Sequence, residues 1–317
     1  MKNRTTGNPI SISRRKFLNQ TAAGSAFLAL NPLGPFIAGK EIKEGKWPSG
    51  ASKFRVHMIG NAHIDPVWVW PWTEGISVVY STFRSALDRM KETPDLTFTA
   101  SSAQFYQWIA ENEPSMLEEI KQRVNEGRWN IVGGWWVEPD MNMPGGEAMV
   151  RQGLYGQLTF ERLLGRRAKA AANPDSFGHT STLPQIIKGQ GMENYIFMRP
   201  GIREKNLPGD LFWWEGTDGS RVLTYRIPVS YSDNGSVRKR IEDSIVQLKD
   251  QPVNSFMAYY GAGDHGGGTT KENIRSIVEL KAEKGAPTVF FSTTDKYFDE
   301  IRSDSNIKLP VVKDDLL

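Results

Sequence analysis

The 317-residue chain has no cysteine, only four histidines, and no apolar run long enough to cross a bilayer. Without cysteine there is no disulfide, thiolate zinc site, iron–sulfur cluster or cysteine nucleophile, so a bound metal must use imidazole and carboxylate ligands. No dinucleotide fingerprint is present. Gly266-Gly267-Gly268 lacks both the helix-opening spacing and the Lys-Ser/Thr pair of a phosphate loop. Nor is there a basic stripe interleaved with aromatic residues, so no nucleic-acid partner is expected. Internal repeats and low-complexity tracts are also missing.

Charge is unevenly spread. The formal net charge is +3, from 39 Lys plus Arg against 36 Asp plus Glu. Residues 1–40 hold six basic residues (Lys2, Arg4, Arg14, Arg15, Lys16, Lys40) and no acidic one, which leaves the remainder at a net −3. Within that leader, Ser13-Arg14-Arg15-Lys16-Phe17-Leu18 reads as a twin-arginine sequence. The apolar stretch Thr21 to Leu30 follows, before Pro32 and Pro35. It is shorter than the ~20 residues a membrane span needs. Residues 1–40 are therefore expected to direct export, to the periplasm or the exterior, as a receptor-read address for a folded protein. Residues 41–52, with Gly45, Pro48 and Gly50, read as a linker.

Beyond the linker, strand-length apolar runs alternate with segments of helical period. Strands are expected at Arg55 to Asn61, Leu96 to Ser101, Trp129 to Gly133, Lys169 to Asn173, Tyr195 to Met198, Val222 to Ile227, Ser255 to Tyr260 and Thr288 to Ser292. Helical segments include Val78 to Lys91, Ser115 to Asn125, Glu147 to Leu164 and Lys271 to Lys284. Such alternation predicts an α/β fold with a parallel sheet, closed or open, and chemistry at the C-terminal ends of the strands.

The polar residues cluster at those ends. His63 and Asp65 stand two apart past the first strand, and on extended chain such residues point the same way. They suit one cation of zinc type, or else form an ordinary hydrogen-bonded pair. Asp175, in NPDSFGH after the fourth strand, can bind metal, act as a nucleophile, or cap the helix that begins near Leu183. A third cluster, YGAGDHGGG, carries Asp264 and His265 among five glycines that admit a close ligand. Trp68, Trp70 and Trp72 alternate just after the HxD pair, and Trp135 and Trp136 follow the third strand. Indoles beside polar ligands make flat platforms for sugar faces, so a carbohydrate site is plausible.

These blocks, GNAHIDPVWVWPW, GRWNIVGGWWVEPDMNMPGGEAMVRQ, NPDSFGHTSTLPQI, FWWEGTDGSRV and YGAGDHGGG, resemble glycoside hydrolase family 38, the retaining zinc α-mannosidases, from about Arg55 to the last residue. The resemblance implies a seven-stranded (β/α) barrel over residues 53–317. It implies one zinc ion held by His63, Asp65 and Asp175, with Asp175 also the nucleophile. Asp264 matches the general acid/base region, although some members carry a second Asp where this chain has His265. Trp68 matches a tryptophan lining the sugar subsite, and Arg199 an arginine that contacts substrate. The implied substrate is a mannose-containing oligosaccharide or glycan, cleaved by double displacement.

Family members continue past the equivalent of LPVVKDDLL into a segment bearing a fourth zinc ligand, a histidine, and then into helical and β-rich domains that would pack on the barrel. The expectation is therefore a catalytic barrel cut short, with weakened zinc binding and an exposed apolar docking face. Two rivals remain at this point. A polysaccharide deacetylase would normally need an H-x-x-x-H pair, which is absent. A non-catalytic carbohydrate-binding remnant is the other.

Overall fold

A computed structural model describes residues 46–248 and 251–317. The twin-arginine segment and the first part of the linker lie outside the described residues. The order is β1 (Arg55–Gly60), α1 (Trp72–Glu92), β2 (Phe98–Ala100), α2 (Ala103–Asn112), α3 (Pro114–Asn125), β3 (Trp129–Ile131), α4 (Gly146–Leu164) and β4 (Ala170–Asn173). Then follow α5 (Leu183–Gly189), β5 (Asn194–Phe197), β6 (Leu211–Glu215), β7 (Arg221–Arg226), α6 (Arg238–Leu248), β8 (Ser255–Tyr260), α7 (Lys271–Ala282), β9 (Thr288–Ser292), α8 (Thr294–Ser303) and β10 (Val311–Val312).

Local chemistry accounts for the better-defined elements. Helix α1 starts directly after Pro71, carries Glu74 in its first turn and Arg89 and Lys91 in its last, and so complements its own dipole. Its buried residues, among them Val79, Phe83, Ala86, Leu87 and Met90, recur at three- and four-residue spacing and form one apolar stripe. Helix α7 opens on a reciprocal cap in which Thr270 accepts from the Asn273 backbone and Asn273 accepts from that of Thr270. None of the described helices is long and apolar enough to cross a membrane.

Among the described residues the strands pair into three sheets. Strand β1 runs parallel to both β8 and β9, and β2 runs parallel to β3. In the largest sheet β4, β5 and β7 are parallel, β6 is antiparallel to β7, and β10 is parallel to β6. The seven-stranded barrel expectation thus holds at the level of a mixed α/β fold with mostly parallel pairing. The ladders as hydrogen-bonded do not form one ring, and β6 with β10 adds an antiparallel edge because Gly216 to Ser220 turns the chain straight back onto β7.

Smaller links span the gaps. Asn61 bridges Thr99, and the Gly133 amide donates to the Ala170 carbonyl at 2.9 Å. The buried Tyr225 hydroxyl, on β7, donates to the Met257 carbonyl at 2.8 Å and accepts from the Met257 amide at 3.0 Å, on β8. Apolar residues from these strands, including Ile59, Ala172, Ile196, Leu223 and Met257, share one buried cluster. Helices α1 to α3 pack a second cluster, rich in Phe and Trp, against β1 to β3.

Candidate active site

Six parallel strands, β1, β3, β4, β5, β7 and β8, release polar residues just beyond their C-terminal ends. His63 and Asp65 follow β1, Glu138 follows β3, Asp175 follows β4, Arg199 follows β5, Tyr231 follows β7 and Asp264 follows β8. Two glycines make this convergence possible. Gly261 has φ +123°, and a Cβ there would lie 2.0 Å from the Asn61 carbonyl oxygen, so only glycine lets the chain leaving β8 pass this close to β1. Gly134, at φ +71°, packs against Met192 where a Cβ would meet Sδ at 2.3 Å, which fixes the path from β3 toward Glu138.

His63 is buried and held from one side. Its Nδ1 lies 3.2 Å from Glu138 Oε2, and its Nε2 lies 3.4 Å from Asp65 Oδ1 without the geometry of a hydrogen bond. Because a carboxylate only accepts, Glu138 takes the Nδ1 proton of the ring and leaves Nε2 facing Asp65. Burial pulls the His63 pKa down. The opposing charges of Glu138 and Asp65 outweigh it, and the net shift is well above the usual imidazole value. An orphaned, buried imidazole nitrogen among carboxylates is the donor chemistry a zinc ion requires.

The ligand atoms of His63, Asp65 and Asp264 all lie within 4.8 Å of one another. The set expected from the resemblance was His63, Asp65 and Asp175, so the third member gathered here differs. Two contacts explain this. The Asp65 amide donates to the Asp264 carbonyl at 3.0 Å, and Asp264 adopts φ +62°, a left-handed conformation that Asp tolerates better than most residues. Asp175 is drawn elsewhere, its Oδ1 accepting from Arg199 Nε at 2.9 Å and from the Tyr231 hydroxyl at 3.2 Å. Both bonds use Oδ1. Asp175 nonetheless lines the same cavity of about 190 Å³ as His63, Asp65, Glu138 and Phe177.

Tyr231 joins the two carboxylates. Its hydroxyl is 3.2 Å from Asp175 Oδ1 and 3.1 Å from Asp264 Oδ1, and its ring lies 4.6 Å from that of His63. Burial, with the charges of Asp175 and Asp264 added, raises its pKa and keeps the phenol protonated. Arg199, set by the resemblance as a substrate contact, is placed on Asp175 with its guanidinium 5.0 Å from the exposed Phe177 ring. His179 positions it. Nε2 of His179 donates to the Arg199 carbonyl at 2.7 Å, Nδ1 accepts from the Tyr195 hydroxyl at 2.7 Å, and burial lowers its pKa to about 4, so the ring is a neutral strut.

Trp68 follows the cavity-lining Pro66 by two residues and is 65 % exposed, with its ring edge-on to Trp70 at 5.7 Å. His57 is buried at the opposite end of β1 against Ser292 and Glu300, its pKa lowered to about 4 chiefly by burial, and takes no part in the site. Sequence reading missed Glu138 and Tyr231. Glu138-Pro139 repeats the carboxylate-proline step of Asp65-Pro66 past a strand, a signal that was available. Tyr231 sits in a serine-rich turn and carried none.

Glu138 ties the site together, since its Oε1 also accepts from the Asp175 amide at 3.1 Å. Where His63 ligates a metal ion, Glu138→Gln is expected to weaken that binding by roughly 10- to 100-fold, the usual effect of removing a carboxylate behind a ligating histidine. Competition with a chromogenic chelator measures it, and an unchanged dissociation constant would remove the orienting role.

Comparison with known proteins adds the following. Residues 53–315 match the family described as glycosyl hydrolases family 38 N-terminal domain. Alpha-mannosidase G of Dictyostelium discoideum is 37% identical over 252 residues, covering 79% of this chain and 23% of that protein. Alpha-mannosidase 2C1 of Homo sapiens is 35% identical over 259 residues, covering 81% of this chain and 25% of that protein. The chain therefore spans about a quarter of the length of these relatives. A crystal structure of an alpha-mannosidase from Enterococcus faecalis V583 superposes with a TM-score of 0.70 at 19% identity, over 83% of this chain and 31% of that one.

Proposed function

Because the chain belongs to glycosyl hydrolase family 38, we propose that it is the catalytic portion of a retaining α-mannosidase that releases α-linked mannose from glycans or mannosides. The observation that carries this reading is the Tyr231 hydroxyl held between Asp175 at 3.2 Å and Asp264 at 3.1 Å. Two carboxyl oxygens in contact with one hydroxyl at 3.2 and 3.1 Å lie at most about 6.3 Å apart, which is below the ~6.5–9.5 Å of inverting glycosidases and compatible with the ~5–5.5 Å of retaining ones.

The residues divide the work as follows. Asp175 attacks the anomeric carbon through Oδ2, the oxygen that neither Arg199 nor Tyr231 engages, while Arg199 balances the charge on Oδ1. As the glycosidic C–O bond breaks, Asp264 gives its proton to the departing oxygen. Asp264, now a carboxylate, then takes a proton from water, which attacks the same carbon and releases Asp175. Zinc, held by His63 and Asp65 with Asp175 as a third donor, would serve as Lewis acid and template for the ring hydroxyls. Trp68 offers its indole face to the C–H face of the reacting sugar.

The finer architecture we read as a barrel of β1, β2, β3, β4, β5, β7 and β8, a reading supported by the Asn61, Gly133 and Tyr225 links across the ladder gaps. Export through the Arg14-Arg15 leader is part of the same proposal, supported by its basic, acid-free composition and the apolar run behind it.

Product stereochemistry tests the function. Hydrolysis of an aryl α-mannoside by the zinc-supplemented chain, followed by proton NMR, is expected to show α-mannose forming first, with the β anomer appearing only through mutarotation. Initial β-mannose, or no turnover at all, would overturn it.

A further inference from the structure

The cavity of about 190 Å³ is below the roughly 300–1,000 Å³ of sites that enclose a whole ligand, so it has room for about one sugar ring and puts the next ring of an oligosaccharide outside. The side on which that ring emerges is set by Asp264, which must face the departing oxygen. The next residue is His265. Its side chain is 51% exposed, and its Nε2 lies 2.8 Å from Glu74 Oε1, in the first turn of α1. A carboxylate cannot donate, so Nε2 carries the proton of this contact and Nδ1 is left outside it for a ligand hydroxyl.

The ring of His265 is itself fixed. It meets the Trp70 ring edge-on at 4.4 Å, and the Trp70 indole N–H donates to the Asp65 carbonyl at 3.0 Å. Through Trp70 the imidazole is thus braced on the backbone of a site carboxylate. Nothing in the hydrolytic steps above uses this histidine.

We propose that His265, oriented by Glu74 and Trp70, forms a second sugar-binding subsite that takes a hydroxyl of the leaving-group sugar, so the site favours mannosyl oligosaccharides over simple mannosides. The inference rests on the assignment of Asp264 as the group facing the leaving oxygen. His265 supplies the acceptor and the exposed edge of the Trp70–Trp68 pair supplies apolar surface, the two things a pyranose ring needs from a protein. Glu74 is a positioning residue.

The experiment measures binding of methyl α-mannoside and of an α-linked mannobiose to the full chain carrying Asp175→Asn, so that the disaccharide survives. The disaccharide is expected to bind about tenfold more tightly, the worth of one good hydrogen bond with some stacking. Adding His265→Ala or Glu74→Ala should bring that ratio near unity. Glu74→Gln, whose amide oxygen still accepts from Nε2, should keep most of it, a rescue that a purely structural role would not show. Methyl α-mannoside binding with no disaccharide advantage, or an advantage that survives His265→Ala, overturns the subsite and leaves the α-mannosidase reading standing. Binding of neither sugar, together with no aryl mannoside turnover by the parent chain, overturns both.

Discussion

Asp175→Ala is expected to lower kcat/KM for an aryl α-mannoside by on the order of 10⁴-fold or more, the scale on which removal of a covalent nucleophile acts. Asp175 is the carboxylate that carries an arginine on one oxygen, at 2.9 Å, and has its other oxygen outside the described hydrogen bonds. Asp65 lies beside His63 at 3.4 Å and Glu138 faces the ring from the other side at 3.2 Å.

The same variant offers a sharper readout than lost activity. With the side chain cut back, a small anion can enter the vacated space. Azide is expected to restore turnover of a mannoside with a good leaving group, such as a dinitrophenyl ether. Its attack on the anomeric carbon from the side Asp175 occupied gives β-mannosyl azide. Recovery of the β azide identifies the attacking group and its face in a single product. Hydrolysis by Asp175→Ala at near-parental rates would remove Asp175 from the reaction and require another nucleophile.

How much of this was legible in sequence depends on how local each feature is. Strand β8 (Ser255–Tyr260) was readable end to end, because six small, apolar or aromatic residues stand between Asn254 and Gly261. Strand β10 was not, since two valines become a strand only by pairing with β6, itself a product of the hairpin at Gly216 to Ser220. Helix α8 lay hidden behind a polar stretch, where Thr293 caps by accepting from the Lys296 amide. At the site, His63, Asp65, Asp175 and Asp264 were legible because a polar residue just past an apolar strand has one place to go in a parallel sheet, and Arg199 only through the family resemblance. Their grouping was not. Whether Asp175 or Asp264 comes nearest His63 is decided by a left-handed residue at Asp264 and by the reach of Arg199 and Tyr231 from other strands, and neither leaves a spacing pattern.

That grouping gives Asp264 two roles to choose between, and Asp264→Asn separates them. The proposed role is proton donor. A donor matters most when the departing oxygen is basic, so kcat/KM for an α-mannobiose should fall by about 10²- to 10⁴-fold. A dinitrophenyl mannoside, whose leaving group departs without a proton, should lose far less in its first step. Zinc bound per chain should stay the same, because His63, Asp65 and Asp175 remain. If Asp264 is instead a ligand, as its place within 4.8 Å of His63 and Asp65 allows, both substrates should fall together and the zinc dissociation constant should rise. The shared Tyr231 hydroxyl favours the first outcome. That hydroxyl keeps the near oxygens of Asp264 and of Asp175, the proposed nucleophile, within about 6.3 Å of each other, compatible with double displacement, and it leaves the second oxygen of Asp264 outside that hydrogen bond for the proton.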